Sequence, residues 1–192
     1  MNDDNIIITR CQAGQLESLT ILVNRYKKPL YSFCNKLGKN NSEVDDLFQD
    51  TWVKAIKNIH LCSPDKRFIN WLFSICINHY RDRYRKYVRW LKVIREFHSA
   101  SDKETEMVKA ECKELGPDMK ALNREQQNMV RNALSKLKDN HRIPIILYYY
   151  REFSLNEISQ ILSIPIGTVK SRLATGRRFL KQTLEVSSNE RK

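Results

Sequence analysis

The chain has 192 residues, a formal net charge of +12 and a sequence pI near 9.6, so it has room for one or two domains with modest cores and its natural partner is polyanionic. Only five glycines occur, no alternating strand pattern of useful length is found and no apolar run reaches membrane-spanning length; the expectation is an all-α fold that does not cross a membrane. Cys11, Cys34, Cys62, Cys76 and Cys112 are odd in number and lack CxxC spacing, so neither a disulfide framework nor a zinc site is expected. His60 near Cys62 reads as incidental rather than as a metal pair. The acidic start, MNDD, lacks the basic region of a signal peptide. A reducing, cytoplasmic setting fits.

Residues from about Ile6 to Lys39 are predicted helical, with Leu16, Leu19, Leu22, Val23 and Tyr26 on one face. Pro29 is expected to kink or divide this element. Gly38 and the following Lys39-Asn40-Asn41 are a stop signal. The next helix starts at Ser42 as candidate N-cap, with Glu43, Asp45 and Asp46 at the positive end of the helix dipole. Its buried stripe is Val44, Leu47, Phe48, Trp52, Ala55, Ile56 and Ile59. Asp46, Gln49, Asp50 and Val53 share the other side, at i, i+3, i+4 and i+7. An acidic face with an exposed valine, in a basic protein, is either solvated or a protein-binding surface.

His60 to Arg67 form a polar loop holding Pro64. From Phe68 the chain is helical again, to about Phe97, with the stripe Ile69, Phe73, Cys76, Tyr80, Tyr84, Tyr87, Leu91 and Ile94. The far side holds Asn78, Arg85 and Arg89, with Arg81 and Lys92 beside them. Seven basic residues and one acidic residue fall between Arg81 and Arg95, with Tyr84, Tyr87 and Trp90 interleaved. Most of these aromatics fall on the core stripe, so the tyrosines are assigned to packing and the arginines to phosphate contact. A membrane-surface amphipathic helix is the competing reading.

The net charge is +7 over residues 1–97, −2 over 98–127 and +7 over 128–192. The middle segment, broken by Gly116-Pro117, reads as a linker or weakly helical connector. From about Asn123 helices resume, marked first by Met129, Ala133, Leu134 and Leu137. Asp139 or Asn140 can cap a further helix running through Ile145-Ile146-Leu147-Tyr148 to about Arg151, with Pro144 near its first turn.

Ser154 to Leu184 read as a helix-turn-helix. Ser154 and Glu157 make a capping box, and Leu155, Ile158 and Leu162 repeat at helical spacing. Ser163-Ile164-Pro165 ends the first helix, and the second runs from about Ile166 to about Leu184. Its apolar stripe is Val169, Leu173, Gly176, Leu180 and Leu184. The opposite face carries Ser171, Ala174, Thr175 and Arg178, flanked by Lys170, Arg172, Arg177 and Lys181. Short residues let such a helix approach base edges in a major groove while long basic ones reach phosphates. A helical hairpin with a solvated basic face is the alternative.

Three stretches, SEVDDLFQDTWVKAIKNI, FINWLFSICINHYRDRYRK and SLNEISQILSIPIGTVKSRL, occur in this order with an acidic connector before the third. Together they resemble the extracytoplasmic-function (ECF) sigma factors of bacterial RNA polymerase, over nearly the whole chain. The resemblance implies two small helical domains: domain 2 at 1–97, binding core RNA polymerase and the −10 element, a linker at 98–122, and domain 4 at 123–192, binding the −35 element. It implies polymerase contacts at Asp46, Leu47, Gln49, Asp50 and Val53. It implies −10 contacts in the Cys62–Arg67 loop, at Asp65, Lys66 and Arg67, and on the following helix at Asn78, Arg81, Arg85 and Arg89. For the −35 duplex it implies Thr168, Lys170, Ser171, Arg172, Ala174, Thr175, Arg177 and Arg178.

Thr175 and Gly176 depart from the family, which often has a basic residue and an alanine there. The loop Asp139-Asn140-His141 replaces its more usual proline-containing form. The expectation is an alternative sigma factor: not an enzyme, with no cofactor and no small-molecule substrate, whose partners are core RNA polymerase, promoter DNA and, as is common in the family, an anti-sigma factor. The alternative is a helix-turn-helix regulator that binds duplex DNA without polymerase.

Overall fold

The computed structural model describes residues 3–98 and 129–189 and divides the chain into two compact units, Met1–Lys113 and Glu114–Lys192. All regular structure among the described residues is helical. The expected connector at 98–122 falls outside the described residues, apart from His98 at a helix end.

The first unit is built from α1 (Asp3–Gln12), α2 (Leu19–Leu37), α3 (Asn41–Lys57) and α4 (Phe68–His98). The opening helical stretch is divided, but not at Pro29, which sits inside α2. The break falls at Gly14, whose φ of +90° is a left-handed conformation that suits glycine. Asp4 then staples α1 to α2. Its carboxylate is 2% exposed and accepts from both Arg25 Nη1 and Tyr26 Oη. Asp3 takes the other Arg25 nitrogen at 2.6 Å. Burial and the Asp4 carboxylate raise the Tyr26 phenol above its ordinary value, so the hydroxyl remains a donor.

Gly38 follows α2 because nothing larger fits: a Cβ there would lie 2.7 Å from Val44 Cγ2. The cap of α3 is Asn40 rather than the expected Ser42. Asn40 is extended, and its side chain accepts from Glu43 N at 2.8 Å, while Glu43 Oε2 accepts from Lys39 N at 2.8 Å. Ser42 therefore lies inside the helix.

Helix α3 packs between α2 and α4. Leu22, Leu30, Phe33, Leu37, Leu72, Phe73 and Ile77 are fully buried at the centre of this bundle. Each such side chain contributes about 1.5–3 kcal/mol relative to exposure. Two corrections concern the stripes. Ile56 is 42% exposed, and Thr51 takes a buried place on α3, its hydroxyl donating to Leu47 O at 2.6 Å. On α4 the packed stripe ends at Tyr80. Tyr84 and Tyr87 are 50% and 49% exposed, so they are not core residues. The bundle is shorter than α4, and the apolar period outruns it. The side chains of Leu91, Lys92 and Ile94 lie outside the described residues.

Cys11, Cys34, Cys62 and Cys76 are buried free thiols, and the Cys34 and Cys76 sulfurs lie 3.7 Å apart in the core. No group of side chains among the described residues is arranged to hold a metal, and none of the described helices is long and apolar enough to cross a membrane.

In the second unit, residues 129–135 are helical. There follow α5 (Asp139–Ile145), a π-helical turn (Ile146–Tyr150), α6 (Leu155–Leu162) and α7 (Ile166–Asn189). The cap of α5 is Lys138, not Asp139 or Asn140. Asp139 lies in the first turn, where its carboxylate meets Arg142 at 2.8 Å. Pro144 sits late in α5, beyond the first turn, and is buried. Two residues on, the helix widens into the π-turn, and Phe153 N closes back onto Leu147 O at 3.1 Å. Helices α5 and α6 both pack on α7.

Candidate functional site

The turn between α6 and α7 is held by local chemistry. Ser154 and Glu157 form the full capping box: the Ser154 hydroxyl accepts from Glu157 N at 3.3 Å, and Glu157 Oε2 accepts from Ser154 N at 2.9 Å. Ser163 ends α6 with a left-handed φ of 52°, and Ser159 Oγ donates to Ile164 O at 2.6 Å. The chain is thereby turned so that α7 starts one residue after Pro165.

Val169 and Leu173 are fully buried, and Gly176 is buried at the crossing with α5. A Cβ on Gly176 would come within 2.9 Å of Ile145 Cγ1, so the glycine permits close helix approach. With that stripe turned inward, Lys170, Ser171, Ala174, Thr175, Arg177 and Arg178 are all exposed. Thr168 and Arg172 are half-buried. Ser171 Oγ is turned back onto Thr168 O at 3.0 Å, which leaves its lone pairs outward. Arg177 stacks over Tyr148 and Tyr149, 5.8 Å from each ring centroid. The face thus has small polar residues at its centre and cations at its edges.

In the first unit the acidic face of α3 is present as expected. Asp46, Gln49, Asp50 and Val53 are exposed, Val53 by 48%. Leu47 is a correction. At 2% exposure it belongs to the packed side of α3, and it cannot share the surface of the other four. It lines instead a hollow of about 300 Å³ with Tyr80, Tyr84 and Tyr87 of α4. Part of the acidic face is already engaged. Arg83 meets Asp46 at 3.3 Å and His79 meets Asp50 at 2.8 Å, so two residues of α4 brace it.

The loop before α4 exposes Asp65, Lys66 and Arg67, while Cys62 at its start is buried. Burial pushes the Cys62 thiol up to about 11. Asn78, Arg85 and Arg89 are exposed on α4 and Arg81 is half-buried. Gln12, at the end of α1, secures the 3₁₀ turn (Ile59–Leu61) that leads into this loop. Its Nε2 donates to Ile59 O at 3.1 Å and to Cys62 O at 2.8 Å. Gln12 and His79 were not singled out from the sequence. Both act on residues remote in the chain, and no periodicity marks them.

The described units thus carry two exposed helix faces of opposite charge, the basic one on the second helix of a helix-turn-helix, the kind of motif that DNA-recognition proteins use. Residues 22–90 match Sigma-70 region 2 and residues 133–182 match Sigma-70, region 4. The chain is 30% identical over 177 residues to the ECF RNA polymerase sigma factor SigW of Bacillus subtilis, spanning 92% of this chain and 94% of that one. It is 27% identical over 190 residues to the RNA polymerase sigma factor CnrH of Cupriavidus metallidurans, spanning 97% of each. Among solved structures, CnrH in complex with the cytosolic domain of CnrY has the same fold, with a TM-score of 0.68 at 24% identity over 95% of this chain and 97% of that one. The sigma factor RpoE of Bartonella quintana, solved with the anti-sigma factor NepR, also gives 0.68, over 88% and 98%. The chain belongs to the ECF sigma factors, which promote transcription initiation through RNA polymerase.

Proposed function

We propose that the two units divide promoter recognition between them. Residues 1–97 bind core RNA polymerase through Asp46, Gln49, Asp50 and Val53, with Leu47 holding that face from beneath. The same unit reads opened −10 DNA with Asp65, Lys66, Arg67 and Asn78, and Arg81, Arg85 and Arg89 meet the phosphates. Residues 123–192 read the −35 element as duplex. There Lys170, Ser171, Ala174 and Thr175 face the bases, and Thr168, Arg172, Arg177 and Arg178 flank them. The polymerase performs the chemistry, and the chain itself is not an enzyme. It works in the cytoplasm, and an anti-sigma factor is a partner, as it is for the solved relatives that carry one.

The observation that carries this reading is the two-sidedness of α7: Val169 and Leu173 are fully buried, while Lys170, Ser171, Ala174 and Thr175 are exposed. Lys170 can donate to guanine O6 or N7, and losing one good base contact costs about 1–3 kcal/mol, mostly at one base position. In transcription assays with purified core polymerase, Lys170→Ala should alter base preference at the −35 element. Asn78→Ala should impair strand opening, seen as permanganate reactivity of unpaired thymines, with −35 duplex binding unchanged. If both variants lost only general DNA affinity, with unaltered base preference and normal opening, the division of labour would be refuted.

A further inference from the structure

Asp50 and Lys54 are four residues apart on α3, a spacing at which a carboxylate and an ammonium on a helix pair directly. Here they do not. His79 of α4 stands between them: Lys54 Nζ lies 2.6 Å from His79 Nδ1, and His79 Nε2 lies 2.8 Å from Asp50 Oδ2. The donor logic fixes the ring. An ammonium can only donate, so Nδ1 accepts, and Nε2 carries the proton and gives it to the carboxylate. The ring is 12% exposed and the Asp50 side chain 53% exposed, so the histidine is a wall and the carboxylate a surface group.

We propose that His79 is a positioning residue for polymerase binding: the neutral ring keeps the Lys54 charge off Asp50 and holds the Asp50 carboxylate outward on the acidic face. This rests on the reading that this face binds core polymerase. Without the ring, Lys54 is free to fold onto Asp50 and neutralise its carboxylate, which lies next to Gln49 and one turn from Val53. With it, the Lys54 ammonium is satisfied from the ring, Asp50 Oδ2 is anchored, and Oδ1 is left for a cationic group of the partner. The surroundings favour the neutral ring. Burial lowers the affinity of His79 for a second proton, and Lys54 and Arg83 lower it further, against the opposing pull of Asp50. Asp82, Arg85, Lys86 and Arg89 line the same hollow on the α4 side.

The test measures affinity of the full chain for purified core polymerase. His79→Phe should weaken it about three- to tenfold. His79→Gln, whose amide can accept from Lys54 and donate to Asp50, should recover most of the loss. Lys54→Met added to His79→Phe should also recover it, because the neutralising charge is gone; a merely structural role for the ring predicts no such rescue. On an Asp50→Ala background, His79→Phe should cost nothing further. In the wild-type protein, imidazole ¹⁵N shifts at neutral pH should report the Nε2–H tautomer. An Nδ1–H or doubly protonated ring, an unrescued loss, or a loss equally large on the Asp50→Ala background would overturn the proposal. If Asp50→Ala itself left core affinity unchanged, the reading of the face would fall instead.

Discussion

The acidic face of α3 and the basic face of α7, the two surfaces proposed to meet polymerase and duplex DNA, are built in opposite ways. On α3, Asp46 and Asp50 are each held by a side chain of the neighbouring helix, Arg83 and His79. On α7, Lys170 and Arg178 form no ion pair among the described residues, and Thr175 and Ala174 are simply exposed. A surface that must fit one protein gains from side chains fixed in advance, since less freedom is lost on docking. A surface that must follow a duplex and its counterions gains from mobile cations on a rigid frame. Rigidity therefore sits in the side chains of the first unit and in the backbone turn of the second.

The comparison can be broken most severely from beneath α7. Leu173→Ala empties a fully buried position and should cost about 2–5 kcal/mol. The second unit should then melt separately in calorimetry, with −35 duplex binding lost and the melting of the first unit unmoved. Next in size, Gln49→Ala with Asp50→Arg should lower core affinity about tenfold, read by titration, while thermal unfolding barely changes. Ser154→Ala removes half of the capping box and should destabilise the second unit by about 1 kcal/mol in denaturant titrations, with m unchanged.

The smallest effect is a pH dependence of the first unit. The native environment lowers the His79 pKa below its ordinary 6.5, chiefly through burial. The unfolded chain therefore binds the proton more readily, and the contribution of His79 is present above that value and lost as pH falls through the native one. Chemical unfolding between pH 7 and 5 should show stability declining, with a shallower decline in His79→Gln.

The helix-turn-helix was legible in the sequence because its signals are local. The capping box spans four residues, and the stripe from Val169 to Gly176 falls within one helix. The acidic face was legible for the same reason. Other features depended on contacts between distant positions. Asn40 outcompetes Ser42 as cap because its side chain accepts from Glu43 N, while the Glu43 carboxylate reaches back to accept from Lys39 N. Pro29 does not break α2, since the packing of α2 against α3 and α4 outweighs one missing donor. Tyr84 and Tyr87 keep the core period after the core has ended, and periodicity alone cannot say where a neighbouring helix stops. Gln12 meets the turn before the Cys62–Arg67 loop from nearly fifty residues away, so no spacing rule reaches it.

All five cysteines precede residue 113, and the second unit has none. Four of them are buried; the contact with Cys76, together with burial, raises the Cys34 thiol, and burial raises Cys62, away from the reactive thiolate. Such thiols react with an alkylating reagent only when the helices around them part. Labelling kinetics on the unmodified protein therefore time the opening of the first unit alone, residue by residue in a mass spectrum. Polymerase or an anti-sigma factor clamped onto α3 would appear directly as a slower clock at Cys34 and Cys76, with no dye or engineered probe.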